Sequence, residues 1–235
     1  MYPYYYSYMD PTYVLVLAGA VLCLIASLWV NSSMAKYHKI RNSRGMTGAQ
    51  AAEQILRAAG LYDVRIECLG NGKGDHYDPK AKAVRLSYEN YHGMSITALA
   101  VAAHECGHAK QHAQSYAPLK FRSALVPVAN IGSHLGLPLI LLGVLLSWNY
   151  VLIQIGIWAF ALAVIFQLVT LPVEFNASSR ALQTMDGMGL LGSTEMKGAR
   201  AVLTAAAMTY VAAAASSILQ LLRLILLFGG NRRRD

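Results

Sequence analysis

The amino-acid sequence predicts a mainly α-helical, multi-pass membrane protein that also carries a small β-hairpin or sheet. Of its 235 residues, 55% are apolar and only 14% are charged, and the mean hydropathy is +0.37. This composition excludes an ordinary soluble globule. Long uncharged runs flank one polar segment, residues 31–120, and only that segment contains patterns typical of strands. We therefore expect a protein of the cell membrane whose bilayer-spanning helices surround or anchor a polar region.

The net charge of +8 arises from 20 basic and 12 acidic residues. An excess of this kind can indicate nucleic-acid binding. Here the basic residues lie in short segments beside apolar runs, which is typical of juxtamembrane charge, so the expected partner is the lipid bilayer and not a nucleic acid. The three cysteines, Cys23, Cys68 and Cys106, form no CxxC pair and are odd in number. They speak against a disulfide framework and fit a reducing compartment.

The first apolar run, residues 13–30, contains no charge and is long enough to cross most of a ~30 Å hydrocarbon core. A cleaved signal peptide is the alternative, but Asp10 precedes the run and no basic segment does, which favours an uncleaved anchor. The tyrosines between Tyr2 and Tyr8 fit an interfacial aromatic belt or low-complexity disorder equally well. A basic cluster follows the run and predicts that this side is cytoplasmic: Lys36, His38, Lys39, Arg41 and Arg44.

The polar segment begins with a predicted amphipathic helix over 47–60, which Gly60 closes. Alternating residues over 64–68 and the run Ala83 to Ser87 predict two strands, and a glycine-rich connection joins them. Ser95 can cap a further helix that extends to about Ser115.

Two uncharged runs, 125–146 and 150–171, predict a tight membrane hairpin that turns at residues 147–149. The long apolar run 201–228 is either a fourth membrane helix or a helix along the cytoplasmic interface. A single crossing there would place Arg232 to Arg234 outside, against the positive-inside rule, so three spans are expected. The predicted organisation is an anchor (1–30), a cytoplasmic region (31–120), a membrane hairpin (121–171), a helix and connection (172–200) and a C-terminal apolar helix with a basic tail (201–235).

Residues 104–108 read His-Glu-Cys-Gly-His, an HExxH pattern within the helix that Ser95 is expected to cap. Residues i and i+4 lie on one face of a helix, so His104 and His108 can bind one metal ion. Glu105 projects beside them and can take a proton from water at the metal. The alternative is a solvated polar face, but the helix is otherwise rich in Ala and Val. We therefore expect a zincin-like active-site helix that holds one Zn²⁺.

A catalytic zinc ion usually has three protein ligands and one open position, so a third ligand has to be found. His112 is eight residues beyond His104, about 12 Å along a helix axis, which is too far for both imidazoles to reach one ion. The longer HExxHxxGxxH pattern fails as well, because Gln111 and Gln114 occupy the positions of its glycine and third histidine.

A downstream carboxylate is therefore the expected third ligand. Glu174, Asp186 and Glu195 all follow the membrane hairpin on the side assigned to the motif. We favour Glu174, because it comes directly after the third span, and Pro172 can begin a helix whose first turn points inward. The alternative for Glu174 is a favourable interaction with a helix N-terminus, which needs no metal.

Four segments of this sequence resemble the bacterial neutral zinc metallopeptidases, or YugP-like membrane proteases, over nearly the whole chain. They are Asp75 to Pro79, Val84 to Ser87, Ala103 to Ala109 and Leu171 to Ser178. The resemblance implies that His104 and His108 bind zinc, that Glu105 is the general base and that Glu174 is the third ligand. The chain is more distantly similar to the HtpX and CAAX-protease membrane zincins. HtpX-like proteins have an aspartate four residues after the ligand glutamate, where this chain has Ser178.

In zincins, the strand before the active helix is an edge strand that pairs with the substrate backbone. Val84, Arg85 and Leu86 occupy this position and are candidate substrate-binding residues. The alternative is that they form an ordinary edge strand. His76 is a further candidate, as an oxyanion partner like Tyr77, while Asp78 with Pro79 is expected to shape a turn.

Two other residues near the motif have an expected structural role. Cys106 should be packed and not nucleophilic, because it lies on another face of the helix than His104. Arg180 is expected either to pair with a carboxylate near the site or to cover the interface.

The function that these features favour is a membrane-embedded zinc endopeptidase that cuts polypeptides in or near the membrane, with its active site facing the cytoplasm. A membrane scaffold with a structural or vestigial metal site is the first alternative, and a metal transporter is the second. The predicted spans contain no second cluster of metal-ligating residues, which argues against a transporter. Neither the substrate nor the oligomeric state follows from the sequence.

Overall fold

The computed structural model describes residues 10–70 and 73–229, and these residues form a mainly helical chain with one small sheet, as predicted. Tyr2 to Tyr8 and Arg232 to Arg234 lie outside the described residues. In chain order the elements are α1 (Tyr13–His38), α2 (Gly48–Ala58), β1 (Arg65–Leu69), β2 (His76–Asp78), β3 (Ala83–Ser87), α3 (Tyr88–His92), α4 (Ile96–Ala113), α5 (Ala117–Leu145), α6 (Tyr150–Gly187) and α7 (Ser193–Phe228).

Four of these helices, α1, α5, α6 and α7, are long and apolar enough to cross a membrane. Large apolar side chains on them are exposed, among them Leu24 at 59%, Leu141 at 61% and Trp158 at 71%. Exposure on this scale suits lipid and not water. The multi-pass prediction is therefore confirmed. The run 201–228 belongs to a fourth long apolar helix, so the described residues contain four membrane-capable helices where three spans were expected.

The described residues divide into two compact units. The first comprises the described residues within 1–25, 126–167 and 212–235, and the second comprises Ala26–Leu125 and Leu168–Val211. In the first unit, α5 and α6 form the predicted hairpin and pack closely through glycines. A Cβ atom at Gly132 would lie 2.3 Å from the carbonyl oxygen of Ala159. Small residues permit such backbone approach between membrane helices.

The predicted boundary between the third span and a new helix at Pro172 is wrong, because α6 runs through Pro172 to Gly187 without a break. Beyond the proline, the helix buries a stripe of residues spaced by four in the core of the second unit. The free energy gained by burying this stripe exceeds the cost of the one backbone hydrogen bond that the proline removes. The stripe consists of Val173, Ala177, Ala181 and Met185, each at most 1% exposed. Likewise, α5 begins at Ala117, earlier than the predicted span.

The core of the second unit is built around α4, the helix that carries the HExxH pattern. Ser95 caps this helix by accepting a hydrogen bond from the backbone N–H of Ala98, as predicted. Thr47 and Gln50 form a capping box at the start of α2. The two helices pack so closely that the thiol of Cys106 reaches the carbonyl oxygen of Ala52. Because α4 is buried on most sides, packing fixes the backbone positions from which its two histidines project.

The sheet has the strand order β1-β3-β2, with β1 parallel and β2 antiparallel to β3. The prediction that β3 is an edge strand is wrong, because β3 is the central strand. Its backbone pairs with β1 over 83–87 and with β2 over 83–85, so β3 is not an open edge strand to which a substrate strand could simply be added. Val84 and Leu86 are fully buried, and Arg85 forms ion pairs with Glu67 on β1 and Asp78 on β2.

The segment Asp75 to Pro79 is also more ordered than the turn that the sequence suggests, since His76–Asp78 forms β2. Asp78 nevertheless shapes the following turn as expected. Its carboxylate accepts hydrogen bonds from the backbone N–H groups of Lys80 and Ala81.

Candidate metal centre

Two imidazoles on α4 and one carboxylate on α6 converge in the second unit. The Nε2 atom of His104 lies 3.2 Å from Oε2 of Glu174, and Nε2 of His108 lies 3.6 Å from the same oxygen. The ligand atoms of the three residues all lie within 4.8 Å of one another. His104 and His108 are largely buried, and Glu174 is only 2% exposed. The structure thus brings together the two histidines of HExxH and the carboxylate that the sequence favoured as their partner.

This donor set fits a zinc ion in both chemistry and spacing. Zinc takes imidazole nitrogen and carboxylate oxygen at about 2.0–2.2 Å in a tetrahedral arrangement, which places neighbouring ligand atoms roughly 3.4 Å apart. The two distances from Glu174 to the imidazoles fall on either side of that value. Three protein ligands would leave a fourth position open, as in catalytic zinc sites. His104, His108 and Glu174 could therefore hold one zinc ion.

The approach of α4 to α6 depends on Gly107, one of the two variable positions of HExxH. A Cβ atom at this residue would lie 2.6 Å from the carbonyl oxygen of Ala177. Side-chain carbons do not approach backbone oxygen so closely, so only glycine permits this contact. Because Ala177 is one helical turn after Glu174, the same contact places the Glu174 carboxylate beside the imidazoles.

A chain of hydrogen bonds determines which nitrogen of His108 faces the site. A guanidinium group can only donate, so the contact from Nε of Arg180 makes Oδ1 of Asn176 an acceptor. The amide nitrogen of Gln111 donates to that same oxygen and to the carbonyl oxygen of Val173. The amide oxygen of Gln111 must then face Nδ1 of His108, 3.0 Å away, and accept its proton. This tautomer leaves the lone pair of Nε2 free for a metal.

His104 has a comparable partner on α6. The hydroxyl group of Ser178 lies 3.2 Å from Nδ1 of His104. Ser178 lies four residues, about one helical turn, after Glu174. A hydroxyl group can accept the Nδ1 proton without adding a negative charge, so both imidazoles present Nε2 to the site through neutral partners.

Arg122, near the start of α5, approaches the other oxygen of the Glu174 carboxylate, at 3.4 Å from Oε1. The two oxygens are thus divided between an arginine and the two imidazoles. Tyr210 on α7 is also close enough to interact with this carboxylate. Neither Arg122 nor Gln111 was among the predicted site residues. The spacing of Gln111, three residues after His108, could have revealed it, whereas Arg122 carries no sequence signal that separates it from other juxtamembrane basic residues.

Glu105 lines the same cavity as His104 and Glu174 and is 7% exposed. Burial raises the pKa of its carboxyl group above the usual range, against the opposing influence of His104 and His108. No hydrogen bond from another described residue reaches this carboxylate. Its oxygens are therefore available to a molecule in the cavity, as a general base requires.

The remaining sequence-predicted candidates lie away from this cluster. His76 is exposed and bonds through Nδ1 to the carbonyl oxygen of Gly74. His112 is exposed, and its Nδ1 contacts the hydroxyl group of Tyr77. Within the described residues, Arg180 pairs with the amides of Asn176 and Gln114 and with no carboxylate; it therefore reaches the site only indirectly, through Asn176 and the hydrogen bonds behind His108.

The thiol of Cys106 is fully buried, as predicted. Burial raises its pKa well above the usual range, so it is not a nucleophile.

The fold and the clustered donor set define a helical membrane protein with a candidate site for one metal ion. The chain belongs to the family described as "Putative neutral zinc metallopeptidase", whose model matches residues 12–229. A relative from Bacillus subtilis (strain 168), "Putative membrane protease YugP", is 48% identical over 198 residues, which cover 84% of this chain and 88% of the relative. No solved structure matches the chain. The predicted family is thereby confirmed.

The hydrogen-bond chain behind His108 generates a prediction about metal affinity. Gln111→Leu keeps the side-chain size but removes the acceptor for the Nδ1 proton, so the affinity for zinc should fall about 10- to 100-fold. A competition titration with a coloured zinc chelator measures this change. Gln183→Leu, an exposed glutamine on α6, is the matched control and should leave the affinity unchanged. Equal zinc affinity for the wild type and Gln111→Leu would contradict the assigned role of Gln111.

Proposed function

We propose that this protein is a membrane-embedded zinc endopeptidase that hydrolyses peptide bonds of membrane or membrane-proximal proteins. The observation that carries the proposal is the convergence of His104, His108 and Glu174 in one cluster, with the carboxylate of Glu105 in the adjoining cavity. Membership of a family described as zinc metallopeptidases and the relative named as a membrane protease support the same reading.

In this proposal His104, His108 and Glu174 are the zinc ligands, and Glu105 is the general base. A zinc ion supplies a Lewis acid that makes water nucleophilic near neutral pH and polarises the scissile carbonyl group. Glu105 takes one proton from the attacking water as its oxygen adds to the carbonyl carbon. The same carboxyl group then delivers that proton to the amine as the C–N bond breaks, which returns Glu105 to its starting state.

The surroundings of Glu105 suit this proton transfer. Burial raises the pKa of Glu105 toward the pH at which the reaction takes place. A group whose pKa lies near that pH can both accept and return a proton. Burial also removes competing water, which strengthens the electrostatic interactions inside the site. Hydrogen bonds to Ser178 and Gln111 fix the orientation of the two imidazoles, and neither of these partners carries a charge.

Two substitutions separate catalysis from metal binding. Glu105→Gln should keep zinc and fold but lower proteolysis about 100- to 10,000-fold, because it removes the base and leaves the ligands. Glu174→Ala should lower zinc content as well as proteolysis. The measurements are zinc content by mass spectrometry and cleavage of casein by purified protein that is free of host proteases.

Asp186→Ala, an exposed acidic residue near the end of the same helix, is the matched control for Glu174→Ala and should change neither quantity. Undiminished proteolysis by Glu105→Gln would overturn the mechanism. Full zinc content and turnover in Glu174→Ala would overturn the ligand assignment.

The proposal includes an active site that faces the cytoplasm. Lys36 and His38 end α1, and Lys39, Arg41 and Arg44 follow it at once. Cytoplasmic segments next to a span carry such an excess of basic residues. The polar region that leads to α4 begins at the same end of α1.

Cys68 on β1 provides a test of this orientation, because it is exposed whereas Cys106 is buried and Cys23 is half-buried. A membrane-impermeant maleimide should label Cys68 only after the cells are permeabilised. Cys68→Ser should abolish the labelling and thereby identify the site. Labelling of Cys68 in intact cells would reverse the orientation.

A further inference from the structure

We infer that the cavity beside His104 and Glu105 is a subsite that receives one aliphatic side chain of the polypeptide, from a residue that adjoins the scissile bond. This inference rests on the proposed function and adds a substrate preference to it. Four features of the cavity support the inference: its apolar wall, the hydrogen bonds that its polar groups already make within the protein, its size and its position beside Glu105.

One face of α7 forms most of the apolar wall. Val202, Leu203, Ala206 and Ala207 follow the spacing i, i+1, i+4, i+5, which places them together on one side of a helix. Val101 on α4, one turn before the HExxH pattern, extends this wall. This part of the wall presents no charge, so a charged or strongly polar substrate side chain would lose its hydration against it.

Apart from the carboxylate of Glu105, which stays available for the reaction, the polar groups that also line the cavity have partners within the protein. The carboxylate of Asp75 accepts hydrogen bonds from the backbone N–H of Ser87 and from the amide of Asn90. Thr97 donates to the carbonyl oxygen of Met34, and Ser178 contacts His104. These groups therefore offer little to a polar ligand side chain, and burial of apolar surface remains the main favourable interaction.

The volume of the cavity is about 220 Å³. Cavities of about 150 Å³ in other proteins accommodate a molecule of the size of benzene. The space beside the site therefore holds one leucine, isoleucine or methionine side chain. Two alanines, Ala206 and Ala207, keep it open, because a larger side chain at either position would project into it.

The position of the cavity determines which substrate residue can enter it. His104, Glu105 and Glu174 line the same space as the apolar wall. Consecutive Cα atoms are only about 3.8 Å apart, so a side chain in this cavity belongs to a residue next to the bond that Glu105 acts on. The subsite would thus select one position of the substrate, and the rest of the polypeptide would be less restricted.

The first experiment uses binding and does not depend on turnover. Zinc-loaded protein is titrated by calorimetry with leucine hydroxamate and glycine hydroxamate, which chelate zinc alike and differ in the side chain. The wild type should bind the leucine compound about 10-fold more tightly or better, in line with the discrimination of apolar pockets. Ala207→Leu fills the cavity and should reduce this ratio to below about 3-fold.

Thr204→Leu is the matched control. It adds the same side chain to the same helix at an exposed position outside the cavity, so the ratio should remain as in the wild type. Val101→Ala enlarges the cavity and should instead favour phenylalanine hydroxamate. This second variant tests the subsite even if Ala207→Leu folds poorly, and zinc content reports the folding of each variant.

The second experiment maps the sites at which the wild type and the variants cleave casein, by mass spectrometry. Leu, Ile and Met should be enriched at one position next to the cut, and Ala207→Leu should shift this preference toward Ala and Gly. If the wild type cleaves casein but neither variant changes the residue preference next to the cut, the subsite is wrong. The endopeptidase proposal would remain supported. A leucine preference in hydroxamate binding without any cleavage would support the subsite and contradict the endopeptidase proposal.

Discussion

The buried carboxylate of Glu174 is the charge around which the second unit is organised. Removing a carboxylate from water costs several kcal/mol unless opposite charge or hydrogen-bond donors surround it. In this protein two imidazoles face one oxygen and Arg122 faces the other. A zinc ion between the imidazoles and the carboxylate would offset the same cost more strongly. The burial of Glu174 and the candidate metal site beside it thus answer the same electrostatic requirement.

The backbone meets this constraint through close packing of α4 and α6. The absence of a side chain at Gly107 lets the two helices touch at Ala177, and the stripe that includes Val173 and Ala177 fixes the rotation of α6. Glu174 follows Val173 directly and consequently lies at the edge of that stripe, next to the histidines. Gln111 then bonds to the α6 backbone at Val173 and to His108, so the same packing also sets the imidazole orientation.

The sequence was sufficient for those features that rest on local patterns. The HExxH spacing predicted a helix with two histidines on one face, and Ser95 marked its start. Features that depend on tertiary packing were not accessible in this way. Pro172 suggested a helix boundary because the buried stripe beyond it could not be distinguished from a new helix. The central position of β3 depends on pairing with β2, a strand of only three residues that reads as a turn. Arg122 reaches Glu174 only through the folding of α5 against α6.

We propose that His104, His108 and Glu174 together hold one zinc ion in a site without sulfur. X-ray absorption spectroscopy at the zinc edge of the purified, full-length protein tests it most directly. We expect a first shell of nitrogen and oxygen at about 2.0–2.2 Å with the multiple scattering of two imidazoles, and we expect His104→Ala to lose this pattern. A shell that contains sulfur at about 2.3 Å, or a spectrum without imidazole scattering, would contradict it.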